Sequence, residues 1–111
     1  MAKYETSLAG DFDEVLGSIE TGIVRGSVSA SFEDGSDFTR NGVRVAVRVF
    51  ERYSMIGSNR VSLNVVLIGE GGQLFLSAIT SGGSQAVLFK INTFGEQAFL
   101  DRVIAIVQKY V

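Results

Sequence analysis

Arginines recur on one side of an alternating stretch, residues 43–53, and a guanidinium row could bind an anion. The row consists of Arg44, Arg48 and Arg52. Side chains four residues apart on one face of a strand are about 13 Å apart, so one strand cannot clamp one small anion. Arg25 and Arg60, on the predicted neighbouring strands, could bring two guanidinium groups together.

Three interpretations of the arginine row remain open. It is a solvated outer face with ordinary cross-strand pairs, or it binds an anionic small ligand or a partner surface. With Phe50 among the arginines, it also resembles the basic and aromatic surfaces that bind single-stranded nucleic acid. The net charge of −2 disfavours nucleic acid, and the solvated face is the simplest expectation.

A second candidate for anion binding is the glycine-rich segment Ser81, Gly82, Gly83 and Ser84. Consecutive glycines allow backbone amides to converge on an anion, and the serine hydroxyls could add donors. The segment lacks the Lys-Ser/Thr ending of the phosphate-binding loop, and a strand is expected after it instead of a helix. The alternative is an ordinary turn.

Acidic residues give two weaker candidates. Glu51 falls in the valine row opposite the arginines and could act as a general acid or base, with an arginine or Tyr53 as electrostatic partner. The alternative places Glu51 past the rim of the core. Asp34 and Asp37, with Glu33, could hold a divalent cation loosely, but their spacing lacks the EF-hand pattern, so no metal site is predicted.

The composition excludes several classes of enzyme. The chain contains no Cys and no His, which removes thiolate nucleophiles, zinc-thiolate sites, the commonest general base and the commonest metal ligand. Triads that need histidine, zinc hydrolases and redox dithiols are therefore excluded. No nucleophile beside a base can be written from the remaining residues, so we expect no cofactor and favour a non-enzyme.

Apolar side chains are expected to cluster at one end of the arginine-bearing face. They are Phe50, Val66, Ile68, Phe75 and Ile79. An exposed apolar group of this size usually marks an interface, and a two-fold homodimer is the commonest form of interface. The alternative is that a loop or the curvature of the sheet covers the group.

Alternation and capping patterns predict the elements that position these residues. We expect strands over residues 3–8, 23–33, 43–53, 60–68, 73–80 and 86–91, a loop over 34–37, and helices over 11–22 and from Thr93 onward. The order β-α-β-β-β-β-β-α predicts a two-layer α+β domain over residues 1–111, with a curved antiparallel sheet of five to six strands. Both helices are expected to cover the opposite row, Val43, Val45, Val47 and Val49.

This order resembles the TATA-binding-protein-like and START-like (helix-grip) folds, in which a curved antiparallel sheet wraps a C-terminal helix. Several segments also resemble a family of small uncharacterised bacterial proteins, classed as a domain of unknown function. The segments are Glu51-Arg52-Tyr53-Ser54, Asn59-Arg60-Val61-Ser62-Leu63, Gly82-Gly83-Ser84-Gln85, and Phe94-Gly95-Glu96 followed by Phe99-Leu100. The resemblance implies no activity.

These observations favour a non-catalytic module that binds a small ligand or a protein partner, as a homodimer, in the groove between the sheet and the C-terminal helix. An enzyme using Glu51 and a nucleic-acid binder using the arginines are the alternatives. The absence of Cys indicates the cytoplasm. No segment approaches the roughly 20 apolar residues that span a bilayer, so no membrane association is expected.

Overall fold

The computed structural model describes residues 1–54, 59–82 and 89–111. The elements are β1 (Ala2–Ala9), α1 (Phe12–Arg25), β2 (Ser31–Arg40), β3 (Val43–Ser54), β4 (Asn59–Glu70), β5 (Gln73–Gly82) and α2 (Phe89–Val107), which is followed by a short 3-10 helix at Gln108–Tyr110. The order is therefore β-α-β-β-β-β-α. The predicted α+β class is confirmed, with one strand fewer than the predicted order.

The five strands of the described residues form one antiparallel sheet in the order β1-β5-β4-β3-β2. Asn41 and Gly42 turn the chain between β2 and β3 with φ of 53° and 80°, and Gly71 turns it between β4 and β5 with φ of 62°. Short turns with positive φ match the twist of hairpin strands. β4 is the central strand, and β1 and β2 are the edges.

Helix α1 begins as predicted but ends later. Asp11 caps it by accepting a hydrogen bond from the Glu14 N–H at 3.0 Å. The helix continues past Gly22 to Arg25, so the predicted stop at Gly22 and the predicted strand over 23–33 are wrong. A single glycine costs a helix only about 1 kcal/mol, and burial of Ile23 on the same stripe as Ile19 outweighs that cost.

The predicted loop over 34–37 lies within β2, so this expectation is also wrong. At the other end of the sheet, residues 89–91 belong to α2 instead of the predicted strand 86–91, and residues 86–88 lie outside the described ranges. Thr93 lies inside α2 and does not cap it.

The side of the sheet that the helices cover is the reverse of the prediction. Ala46 and Phe50 of β3 are fully buried, whereas the valines between and beside them are only half-buried. The inner residues of the other strands include Leu8, Val61, Leu63, Val65, Leu67, Leu74, Leu76 and Ala78. The core therefore forms between these residues and both helices on the arginine-bearing side of β3, and the valine row lies on the side without helices.

The two helices approach each other closely at Gly22. A Cβ atom added there would lie 2.6 Å from Cδ1 and 2.8 Å from Cγ1 of Ile106, whereas one added at Gly17 on the same helix would meet nothing within 4 Å. We expect Gly22→Ala to destabilise the protein by about 1–3 kcal/mol through overpacking. Gly17→Ala, the matched control, should stabilise it by up to about 1 kcal/mol. Urea unfolding of both variants checks this, and a gain from Gly22→Ala would contradict the close approach.

Candidate functional site: the open face of the sheet

Arg44 fastens the start of α1 to the sheet. Its guanidinium donates two hydrogen bonds of 3.0 Å to the Asp13 carboxylate and lies 4.2 Å from the ring centre of Phe12. The hydrogen bond with Arg44 lowers the pKa of Asp13, and the same bond raises the pKa of Arg44. Because the pKa of Asp13 is depressed in the folded state, this pair supports folding above the ordinary aspartate pKa and is lost as the pH falls through the lowered one.

Arg48 is the most enclosed of the three, with 9% exposure. It donates to Glu20 Oε2 of α1 at 2.7 Å and to both oxygens of Asp37 of β2 at 3.0 and 3.2 Å. It also donates to the carbonyls of Ser36 and Val47. Burial lowers the pKa of Arg48, but the hydrogen bonds to Glu20 and Asp37 raise it more, so the net shift is upward. Arg48 therefore joins α1, β2 and β3.

Arg52 lies under the second helix. Its guanidinium carbon is 4.6 Å from the ring centre of Phe99, and burial lowers the pKa of Arg52. Arg44, Arg48 and Arg52 thus contact the helices through aromatic rings or carboxylates, and the prediction that they project from the helix-free side of the sheet is wrong. The long arginine stems cover apolar surface while the charged ends reach partners at its edge.

The other two arginines of the predicted row do not join it. Arg25 is the last residue of α1. Arg60 lies on the helix-free side, where its Nε donates to Glu51 Oε1 at 2.7 Å and its Nη2 is 3.8 Å from Glu33. Glu51 is one-third exposed in this ion pair, beyond the end of the core. The structure shows it as a salt-bridged surface acid.

The described part of the glycine-rich segment faces a carboxylate. Ser81 and Gly82 end β5, and the Gly82 N–H donates to Glu96 Oε2 at 2.6 Å. Glu96 is buried, and its other oxygen is 2.7 Å from the amino group of Met1. The Gly82 amide is therefore already bonded to an anion of the chain itself. Gly83 and Ser84 lie outside the described residues.

Asp34 and Asp37 lie on opposite faces of β2. Asp37 points to the helix side and binds Arg48, whereas Asp34 shares the helix-free side with Val49, its neighbour in the register. Among residues 1–54, 59–82 and 89–111, no group of three or more acidic side chains is placed to hold a metal ion. The two aspartates cannot share one cation.

A hydrogen-bonded chain at the C-terminus combines a hydroxyl, a phenol and a carboxylate. The Tyr110 hydroxyl lies 2.8 Å from Ser18 Oγ and donates to Glu14 Oε2 at 3.2 Å. These hydrogen bonds fasten the 3-10 helix to α1.

The helix-free side of the sheet, here called the open face, is largely apolar. Its apolar side chains are Phe38 of β2, Val43, Val45, Val47 and Val49 of β3, Val66 and Ile68 of β4, and Phe75 and Ile79 of β5. Phe38 is 52% exposed, and Phe75 and Ile79 are each 38% exposed. Charged residues of the open face include Lys3 and Asp34 on the edge strands and Glu70 at the end of β4.

The predicted apolar cluster is divided by the sheet. Val66, Ile68, Phe75 and Ile79 lie together on the open face, but Phe50 is fully buried against the helices. The prediction that all five share the arginine-bearing face is therefore wrong, since of the five only Phe50 lies on it. Phe50 belongs to the arginine row by position, and that row faces the core.

Sequence reasoning missed Phe38, the most exposed aromatic residue of the open face. Acidic and small residues favoured a loop over residues 34–37, which left Phe38 without an assigned element. The signal that could have found it is Asn41-Gly42, because a two-residue hairpin turn requires a strand on both sides. Extending that strand backward places Phe38 beside Val45.

A pocket of about 690 Å³ opens at one end of the open face. Ser7, Ala9, Ile68 and Phe75 line it on the sheet, and Tyr110 closes it at the end of the chain's last helix. The predicted groove between the sheet and α2 is instead occupied by core side chains, among them Phe99, Leu100 and Val103.

No helix among the described residues is long and apolar enough to cross a membrane. A family model matches residues 1–111, and the chain belongs to the family described as Family of unknown function (DUF6054). This confirms the sequence-based identification of a domain of unknown function. A search of curated proteins found no match. The family description carries no activity, so a function has to be argued from the surfaces of the fold.

Proposed function

We propose that this member of a family of unknown function is a non-catalytic cytoplasmic module that assembles as a homodimer through the open face. The observation that carries the proposal is the continuous set of nine apolar side chains across β2, β3, β4 and β5. Contiguous apolar patches of several hundred Å² usually mark interaction surfaces. In a homodimer formed through the open face, each copy would bury these nine side chains against the same nine of the other copy.

The size of the open face suits a stable dimer. Five strands about 4.8 Å apart and four rows of side chains about 6.8 Å apart cover roughly 650 Å² in projection. Two such faces would bury about 1,300 Å², within the range of about 1,200–2,000 Å² for specific interfaces. Charged groups lie mainly at the edges of the face, as the polar rim of an interface requires.

The contacts of the acidic and basic residues favour this proposal over the two alternatives. An enzyme would need a free acid or base in a pocket, and Glu51 is held by Arg60 outside the core. A nucleic-acid binder would need the arginine row on an open surface, and Arg44, Arg48 and Arg52 contact the helices. Dimerisation through the open face needs neither a free acid or base in a pocket nor an exposed arginine row.

Val66→Glu tests the proposal, because Val66 is half-buried at the centre of the open face. Burying one uncompensated carboxylate from each copy should weaken self-association by roughly 100-fold or more. Sedimentation equilibrium should show a dimer for the unmodified protein and a monomer for the variant. Circular dichroism should show that the fold is kept, because the side chain does not contact the core.

The matched control is Thr21→Glu, which adds the same charge to an exposed position of α1 on the other side of the molecule. It should leave the dimer intact. A monomeric unmodified protein, or a dimer that survives Val66→Glu, would contradict assembly through the open face.

A further inference from the structure

The register of the sheet arranges the open face in four rows that cross all five strands. From β1 to β2 they are Lys3, Ile79, Asn64, Val49 and Asp34 (row A), Glu5, Ser77, Val66, Val47 and Ser36 (row B), Ser7, Phe75, Ile68, Val45 and Phe38 (row C), and Ala9, Gln73, Glu70, Val43 and Arg40 (row D). The largest side chains lie away from the centre of rows A and C.

We propose that the second copy docks about a two-fold axis parallel to β4, with the strands of both sheets running in the same direction. The inference rests on the proposed homodimer and specifies its geometry. This rotation keeps each row against the same row of the second copy. It sets β4 against β4, β5 against β3, and β1 against β2.

The apolar residues match under this rotation. Phe75 meets Val45 of the second copy, and Ile79 meets Val49. Val66 and Ile68 each meet their own copies on the axis. A two-fold axis perpendicular to the strands would exchange row A with row D and row B with row C, which sets Phe75 against Ser77 and Ile79 against Gln73. The parallel axis therefore pairs large apolar side chains with apolar partners.

The shape of the face supports the same axis. Phe38 projects from β2 with 52% exposure, and its position in row C falls opposite Ser7 on β1. Ser7 and Phe75 line the pocket of about 690 Å³, so the Phe38 ring of the second copy would enter it, and the reciprocal ring would enter the other pocket. With the perpendicular axis, Phe38 would face Ser36, and the pocket would receive no ring.

Charges at the edges are consistent with this geometry. Lys3 in row A falls opposite Asp34 of the second copy, which makes two ion pairs per dimer. Glu70 in row D falls opposite its own copy at the exposed end of β4, and this is the one repulsive pair among the four rows. Glu70→Gln should therefore tighten the dimer a few-fold, whereas Lys3→Glu should weaken it about tenfold. Adding Asp34→Lys to Lys3→Glu should restore it.

Cross-linking can determine the axis directly, because the chain has no cysteine of its own. Glu5 and Ser36 lie in row B at opposite edges, about 19 Å apart within one copy but about 10 Å apart across packed sheets under the proposed axis. A bismaleimide that spans about 10 Å should join two copies of the Glu5→Cys/Ser36→Cys variant. Neither single variant should cross-link, because the same cysteine in the two copies then lies on opposite edges of the dimer, about 19 Å apart across the strands.

The outcomes separate this inference from the homodimer itself. Cross-linking of the double variant alone supports the parallel axis. Cross-linking of either single variant, or a sedimenting dimer in which no variant cross-links, overturns the axis while leaving the homodimer intact. A protein that sediments as a monomer throughout overturns both proposals.

Discussion

Phe50→Ala is expected to destabilise the protein by about 3–5 kcal/mol, the usual cost of removing an aromatic ring from a core. The ring is fully buried on the helix side of β3 and meets Phe32 edge-on, with 5.9 Å between ring centres. Truncation removes this contact and leaves a cavity that the surrounding strands can close only partly. Urea unfolding monitored by circular dichroism gives the change.

Val47→Ala is the matched control, since Val47 lies on the same strand and points to the open face. It should lower the stability of the monomer by less than about 1 kcal/mol, the range of strand propensity for exposed positions. The comparison is best made at a protein concentration at which sedimentation shows a monomer, so that any self-association does not contribute to the measured stability. Equal losses, or a larger loss for Val47→Ala, would show that the helices cover the valine row.

The class of the fold could be predicted from the sequence because its strongest signals are local. Alternation over residues 43–53, 60–68 and 73–80 identified three central strands, and the Asp11 cap identified the start of α1. These signals depend on residues that are neighbours in the chain. The predicted helix end at Gly22 and strand after it are wrong, because the helix continues to Arg25 and buries Ile23 on the same stripe as Ile19.

Which face of β3 is buried could not be predicted from β3 alone. Alternation shows that a strand has two different faces. Judged by polarity alone, the four valines indicate a buried face and the three arginines an exposed one, and this assignment is wrong. The deciding information lies on α1. Asp13 and Glu20 are seven residues apart, about 10.5 Å along a helix, and Arg44 and Arg48 are about 13 Å apart on the strand. Matched spacing of opposite charges could have indicated that this face meets the helix.

The wrong choice of the buried face of β3 also affected the prediction of the candidate site. Four of the five predicted interface residues do share one face of the sheet, but this is the valine side of β3 and not the arginine side on which they were expected. The prediction left out the valine row, which was assigned to the core, and Phe38, which follows the predicted loop 34–37 and was assigned to no element. The three interpretations of the arginine row all assumed an exposed face, whereas Arg44 and Arg48 bind carboxylates of α1 and β2.

Arg48→Ala should destabilise the protein by about 2–3 kcal/mol, through the loss of its charged hydrogen bonds. The variant also leaves Glu20 and Asp37 facing each other without a cation, in a place where Arg48 itself is 9% exposed. Both carboxylates keep access to water, with side-chain exposures of 40% and 62%. This access limits the loss to less than that of a fully buried ion pair.

Arg44→Ala is the matched control, because Arg44 makes a two-point salt bridge on the same strand face but is 42% exposed and binds one carboxylate only. Exposed pairs contribute about 0–1 kcal/mol, so its loss should be small and should shrink further in high salt. Denaturant unfolding of both variants at low and high ionic strength measures the difference. If Arg48→Ala costs no more than Arg44→Ala, the three-element junction does not hold β2 against α1, and the strand is held by its pairing with β3 alone.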